Sequence, residues 1–271
     1  MSHPIALTIA GSDSGGGAGI QADLKSFSAL GVYGASVITA ITAQNTRTVS
    51  AVEPVSPGMV GAQIDAVMGD LDVRAIKIGM LGGPEVIEVV AEHLAALIAD
   101  RPLPIVLDPV MIAKAGDALL PDEAVTVLRD RLLPLATVLT PNLPEAARLL
   151  GSEAARDSNE MQQQGEALRA LGPAHVLMKG GHGAGPVCTD LLVGADPLEL
   201  SAPRLATRNT HGTGCSLSAA IAAGLARGET VPQAVSAAHQ WLQGAIAAAD
   251  ELSVGLGFGP VHHFHAIWGR G

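Results

Sequence analysis

The sequence predicts an α/β protein with a central, mostly parallel sheet. Short runs rich in Val, Ile and Leu alternate with longer, alanine-rich amphipathic segments. That alternation marks βαβ units, whose strands are covered on both faces and so read as continuous apolar runs. Size is the second observation: 271 residues, 48% of them hydrophobic, can bury about three quarters of the unfolded surface in one core. No repeat period, low-complexity tract or linker interrupts the pattern, so residues 1–271 are expected to form a single domain.

The elements follow in order. "IALTIA" is the first strand, with "IQADLKSFSALG" as its helix, and "ASVITAIT" is a strand that leads to Gln44 and Asn45. "RAIKIG" precedes the helix "PEVIEVVAEHLAALIAD", and "PIVLD" precedes "DEAVTVLRDRLL". "ATVLT" leads into "PEAARLLG", where Pro144 is expected at the first helical position with Glu145 beside it. "AHVLMK" comes after a helix around residues 159–171, and residues 187–200 read as a β-hairpin inserted before the last helical pair.

Ligands of open parallel sheets bind beyond the carboxyl ends of the strands. Gln44, Met80, Asp108, Asn142 and Lys179 stand at those ends. Any one of them alone could be a solvated turn residue; together they would line one crevice.

Composition narrows the partners. The formal charge is −10 and aromatic residues make up only 2%, so the basic stripe and stacking platform of a nucleic-acid binder are missing and a small molecule fits better. No apolar segment of 18 residues occurs, so no membrane partner is expected. Cys188 and Cys215 form no CxxC pair and no disulfide framework, which favours a reducing, cytoplasmic location.

Four motifs carry chemistry. "GSDSGGGAG" (residues 11–19) lacks the Lys-Ser/Thr of a Walker A loop, and GxGxxG fails because Ile20 stands where the third glycine belongs. Its five glycines would still let backbone amides approach a ligand, unless the segment is simply a flexible turn. "HGTGC" precedes a long alanine-rich helix, so the amides of Gly212, Thr213, Gly214 and Cys215 are candidate anion donors at its N-terminus. A cysteine there would have a lowered pKa. The plainer alternative makes the glycines a tight turn and Cys215 a small buried hydrophobe.

In "TPNLPEA", Glu145 either complements the helix dipole or holds Mg²⁺ through water, with Asp108 as the second carboxylate. In "LMKGGH", Lys179 either points at a phosphate or forms a salt bridge at the sheet rim. His262, His263 and His265 lie close together near the C-terminus, but alternate side chains of an extended tail would diverge and no carboxylate is near in sequence. Cys188 reads as packing in an apolar strand.

Taken together, "LTIAGSDSGGGAGIQADLKSFSALGVYG", "VITAITAQNT", "KIGML", "LDPVMIAKAGD", "LLPLATVLTPNLPEA", "LMKGGH", "SAPRLATRNTHGTGCSLSAAIAAGLARG" and "GFGPVHHFHAIW" resemble, in order and from end to end, the bacterial hydroxymethylpyrimidine and phosphomethylpyrimidine kinases of thiamine synthesis. The resemblance implies a ribokinase-like three-layer α/β/α sandwich, ATP and Mg²⁺ as cofactors, and a homodimer. It also implies two phosphorylations, first of 4-amino-5-hydroxymethyl-2-methylpyrimidine and then of its monophosphate.

By that resemblance Gln44 reads the pyrimidine, since a primary amide can donate to a ring nitrogen and accept from an exocyclic amine at once. Gly11, Asp23, Met80 and Val110 match positions of the same pocket. Lys179, Asn142 and Thr210 fall in the nucleotide-binding region, Asp108 and Glu145 in the magnesium region, and the "HGTGC" amides at the anion hole. Cys215 stands where related sugar kinases carry an aspartate base, and is expected to be an acid–base residue if the helix terminus favours its thiolate. The rival readings are a pyridoxal kinase of the same superfamily and a non-catalytic pyrimidine sensor. Intact Lys179, Asp108, Glu145 and Cys215 argue against the sensor.

Overall fold

The computed structural model describes residues 3–111, 120–182 and 185–268. The chain runs β1 (Ile5–Ala10), α1 (Gly19–Ala29), β2 (Tyr33–Ile38), β3 (Ala40–Gln44), β4 (Val49–Pro54), α2 (Pro57–Met68), β5 (Val73–Ile78), α3 (Pro84–Asp100) and β6 (Ile105–Leu107). It continues through α4 (Asp122–Val127), β7 (Val138–Leu139), α5 (Leu143–Leu150), α6 (Ser158–Arg169), β8 (His175–Met178), β9 (Val187–Val193), β10 (Leu198–Pro203), α7 (Thr213–Ala226) and α8 (Val231–Ala247). The "IAKAGD" part of the 107–117 motif lies outside the described residues.

Eight strands form the main sheet in the order β10-β9-β8-β7-β6-β5-β1-β2. Strands β8 through β2 pair in parallel, while β9 and β10 are antiparallel. The three-layer α/β/α sandwich follows from the pleat, which sends successive side chains to opposite faces. Leu7, Ile9, Ile76, Ile78, Ile105, Leu107 and Leu139 pack with buried residues of α2 to α6. Ala6, Ala75, Val106, Val138 and Leu177 face the layer of α1, α7 and α8.

Helix α7 is buried from Ser216 to Ala226. Its run of alanines lets it lie close against β5 and β6 and between α1 and α8, which fixes the position of its N-terminus at the strand ends.

The structure departs from expectation in three places. "ASVITAIT" is not one strand: Thr39 turns the chain, with its hydroxyl 2.7 Å from the Met80 carbonyl oxygen, and β3 leaves the main sheet to pair only with β4. The helix "DEAVTVLRDRLL" is α-helical only to Val127 and then widens into a π turn over Leu128–Leu132. In α5, Leu143 takes the first helical position and Pro144 the second, because Asn142 is the N-cap. The expected hairpin at 187–200 is the β9–β10 pair.

Among the described residues, no helix is long and apolar enough to cross a membrane.

Candidate active site

The loop after β1 is organised by Asp13. Its carboxylate accepts from the backbone N–H groups of Gly15, Gly17 and Ala18 at 2.8 to 3.0 Å, so these amides are already engaged and the loop is neither an open phosphate cradle nor a loose turn. The same carboxylate lies 2.8 Å from His211 Nε2. Burial works to raise its pKa, but His211 and the amides outweigh this and hold it below the ordinary carboxylate value. Gly19 has φ +55°, and a Cβ there would run into the Gly11 carbonyl oxygen, so only glycine lets the loop fold back into α1.

Gln44 is delivered by the β3–β4 ribbon. Its pairing with β4 shifts register between Ala43 and Gln44, a bulge of the kind that re-aims a side chain. Ser14 Oγ clamps its backbone on both sides: it donates to the Gln44 carbonyl and accepts from its N–H, each at 2.8 Å.

Gly212 caps α7 in the left-handed region, φ +78°, and a Cβ there would meet the Gly17 carbonyl. Of the first-turn N–H groups that follow, that of Thr213 donates to the Thr210 carbonyl at 3.4 Å, while those of Gly214 and Cys215 have no acceptors within the helix and are available to an anion. Cys215 departs from expectation. Burial pushes its thiol up to about 11, and the nearby Asp23 and Asp108 add to that, while Lys77 opposes it. Removal from water outweighs the attraction of Lys77 for a thiolate.

At the sheet ends, β6 delivers Asp108, β8 delivers Lys179 and the start of α5 delivers Glu145. Lys179 Nζ donates to Asp108 Oδ1 at 2.9 Å, and Thr140 Oγ1 lies 3.1 Å from the same oxygen. Burial disfavours both charges, yet the attraction holds the Asp108 carboxyl below and the Lys179 ammonium above their ordinary values. Glu145 Oε2 accepts from the Asn142 N–H at 2.8 Å while Asn142 Oδ1 accepts from Glu145 N–H, a capping box. Burial raises its carboxyl to about 7; Lys179 opposes this and Asp108 reinforces it. Glu145 therefore has the structural role and still faces the cleft. Two carboxylates beside a lysine fit Mg²⁺, which takes one or two carboxylates and completes its shell with phosphates and water.

These parts border one cleft of about 740 Å³. Gly11, Gln44, Met80, Val110, Asp108, Asn142, Glu145, Lys179, Thr210 and Gly212–Cys215 line it, as do Cys188, Pro203, Leu205, Leu242 and Ile246. Gly214 sits beside the Lys179–Asp108 pair, because a Cβ placed on it would lie 3.4 Å from Lys179 Nζ and 3.6 Å from Asp108 Oδ2.

Asp23 is the exception. It is fully buried in an ion pair with Lys77 at 2.9 Å, accepts from Thr8 Oγ1 at 2.6 Å, and does not reach the cleft. Cys188, expected to be packing alone, lines the cleft. The C-terminal histidines do not lie on an extended tail, since residues 263–267 form turns. His263 Nε2 meets Ser216 Oγ at 2.9 Å, and burial lowers its pKa to about 3.

Sequence reasoning missed Asp13 and His211 as partners, and Lys77 in the cleft lining. The signal for His211 was its place in "HGTGC"; nothing local marked Asp13 as its acceptor.

Comparison with known proteins adds identity. The phosphomethylpyrimidine kinase family model matches residues 13–262. The hydroxymethylpyrimidine/phosphomethylpyrimidine kinase of Rhizobium meliloti is 60% identical over 265 residues, covering 97% of this chain and 98% of the relative. That of Escherichia coli is 53% identical over 264 residues, covering 97% and 98%. Among solved structures, an ADP complex of Bacillus subtilis pyridoxal kinase superposes with a TM-score of 0.88 at 36% identity, covering 98% of this chain and 99% of that one. A phosphomethylpyrimidine kinase from Clostridium difficile gives 0.78 at 46% identity, covering 89% and 99%. The ribokinase-like architecture is thereby shown. From the order of its motifs, the geometry of its cleft and these likenesses, the chain belongs to the phosphomethylpyrimidine kinase family.

Proposed function

We propose that this protein, as one catalytic domain over residues 1–271, transfers the terminal phosphoryl group of ATP to the hydroxymethyl group of 4-amino-5-hydroxymethyl-2-methylpyrimidine and then to the resulting monophosphate. The observation that carries this reading is the single cleft in which the amide of Gln44 and the N-terminus of α7 face a common space. Gln44, with Gly11, Met80 and Val110, holds the ring; Lys179 and the amides of Gly212 to Cys215 receive the transferred phosphate; Asn142, Thr210 and the wall from Cys188 to Ile246 take the nucleotide.

Phosphoryl transfer asks little covalent chemistry of the protein and depends on positioning and on neutralising charge spread over the transferred group. The α7 amides and Lys179 supply both. Asp108 and Glu145 would hold Mg²⁺, which supplies charge neutralisation at the phosphates when bound. Cys215 contributes its amide. Its thiol is half-buried on the cleft wall and is pushed up to about 11, which argues against the role of a thiolate base. We further propose a cytoplasmic homodimer; a monomer by light scattering would remove the dimer.

The test is to mix protein, pyrimidine alcohol and Mg·ATP and measure ADP. A second reading, pyridoxal as substrate, is favoured by the 0.88 TM-score to a pyridoxal kinase. A preference for pyridoxal of about tenfold or more in kcat/KM would overturn the pyrimidine reading. Absence of ADP with either substrate would overturn the kinase reading.

A further inference from the structure

The side-chain amide of Gln44 lies between His211 and Thr42. Its Nε2 is 3.4 Å from His211 Nε2, and its Oε1 is 3.4 Å from Thr42 Oγ1. Proton accounting decides what each neighbour can offer. His211 Nε2 is also 2.8 Å from Asp13 Oδ2, and Asp13 is a buried carboxylate already accepting from two amides through that oxygen. An ionised carboxylate only accepts, so His211 Nε2 carries the hydrogen and has no lone pair for Gln44.

Thr42 has the converse property. Its hydroxyl has one hydrogen, donated to the Ser12 carbonyl at 2.9 Å, so it faces Gln44 with lone pairs alone. An amide nitrogen toward His211 and an amide oxygen toward Thr42 would set donor against donor and acceptor against acceptor. Half a turn about the terminal bond exchanges the two ends in the same volume: the amide then donates to Thr42, and its oxygen rather than a second donor faces the His211 N–H whose hydrogen Asp13 takes.

We propose that Asp13 and His211 are positioning residues that fix the Gln44 amide with its oxygen toward His211 and its nitrogen toward Thr42, and so select the hydrogen-bonding edge of the substrate ring. The inference rests on Gln44 being the residue that reads the ring. In this orientation the free N–H of Gln44 lies on the Thr42 side and the free lone pair on the His211 side. The matching edge has an acceptor nitrogen beside a donor amine, as in a 4-aminopyrimidine. A 4-oxo ring presents a carbonyl acceptor beside a ring N–H. It would be paired only by an amide turned back against both neighbours, at the cost of leaving them mismatched.

The orientation depends on a chain of contacts that ties two distant segments, with Asp13 and His211 198 positions apart. Asp13 sets the tautomer of His211, and His211 sets the amide. Neither residue needs to touch the ring.

The experiment compares kcat/KM for the 4-amino pyrimidine alcohol and its 4-oxo counterpart, with the KM for ATP measured alongside. In His211→Leu the preference for the amine should fall by about tenfold or more, with KM for ATP unchanged, because the amide loses the N–H that disfavours its nitrogen end on that side. In His211→Gln the preference should be largely retained, since that side chain can give one N–H to Asp13 and the other to Gln44. A His211→Leu enzyme that discriminates as the unmodified protein does would overturn the proposal.

Gln44→Leu separates the two levels of argument. If it leaves the KM for the pyrimidine unchanged, the reading of Gln44 fails and the inference fails with it. If it raises that KM while His211→Leu has no effect on discrimination, only the inference fails. The proton accounting is also read directly on the unmodified protein, whatever the variants do: ¹⁵N NMR of the histidine rings should show a protonated Nε2 for His211, assigned by its loss in His211→Gln. A signal for an unprotonated Nε2 would overturn the proposal.

Discussion

Lys77 Nζ lies 2.9 Å from Asp23 Oδ2, and both side chains are shut off from solvent. Burial works to discharge the lysine, but Asp23, Cys215 and Asp108 together outweigh it and hold the ammonium above its ordinary value. Removing one member strands the other charge, which costs about 3 to 5 kcal/mol, whereas replacing both with apolar groups of similar volume is often neutral. Asp23→Ala should therefore unfold at lower urea concentration with little change in the KM for the pyrimidine, and Lys77→Met with Asp23→Leu should recover most of the stability. A raised KM in a stably folded Asp23 variant would return Asp23 to the ring site.

Glu145 has a folded-state pKa of about 7 against an ordinary 4.5. The folded protein thus holds a proton that the unfolded chain has lost between those values, and stability falls as pH rises through that window. The shift corresponds to about 3 kcal/mol once the group is ionised in both states. Glu145→Gln keeps an oxygen for the capping box and removes the charge. In thermal melts without nucleotide, its advantage over the unmodified protein should be absent near pH 4.5 and grow to its full size above pH 7. An advantage that does not change with pH would show that Glu145 is not held protonated by burial.

Cys215→Ala retains the amide and loses only a thiol that is protonated at neutral pH. Turnover should fall by less than about tenfold from pH 6 to 9, below the roughly 10² to 10⁴ expected on losing a general base. Gly214→Pro removes a first-turn N–H where the helix tolerates proline, so the helix should persist while turnover falls by about 10² to 10³. A larger loss in Cys215→Ala that shrinks as pH rises would restore the thiol as a base.

Gln44→Leu keeps the approximate shape and deletes both hydrogen-bonding functions, leaving the ring edge unpaired at about 1 to 3 kcal/mol. Steady-state kinetics should show a higher KM for the pyrimidine and an unchanged KM for ATP. An unchanged KM for the pyrimidine would remove Gln44 from the site.

The layer order and the strand-end residues were legible because each is written locally. Apolar runs end at Asp108 and Lys179, and glycines frame the start of α7, so position along the chain gave position in space. Properties that depend on distant partners were not legible. The thiol of Cys215 is raised by burial among elements far apart in sequence, and the engagement of the loop amides depends on the carboxylate of Asp13, which looks like any other acidic turn residue. Asp23 sits on the inward face of α1, and only the packing of α1 on the sheet shows that it meets Lys77 rather than a ligand. The β3–β4 ribbon escaped notice because "ASVITAIT" has uniform strand character and Thr39 carries no breaker signature.

Because β3 and β4 stand apart from the main sheet, the ribbon that carries Gln44 is a separate piece of structure from the frame that carries Lys179 and Asp108. Residues 40–54 form a cassette anchored by Thr39 and clasped by Ser14, whereas Lys179, Asp108 and the head of α7 belong to the rigid frame. Exchanging that ribbon, with Asp13 and His211 adjusted to match, is thus a route to new alcohol acceptors that leaves the main sheet unaltered.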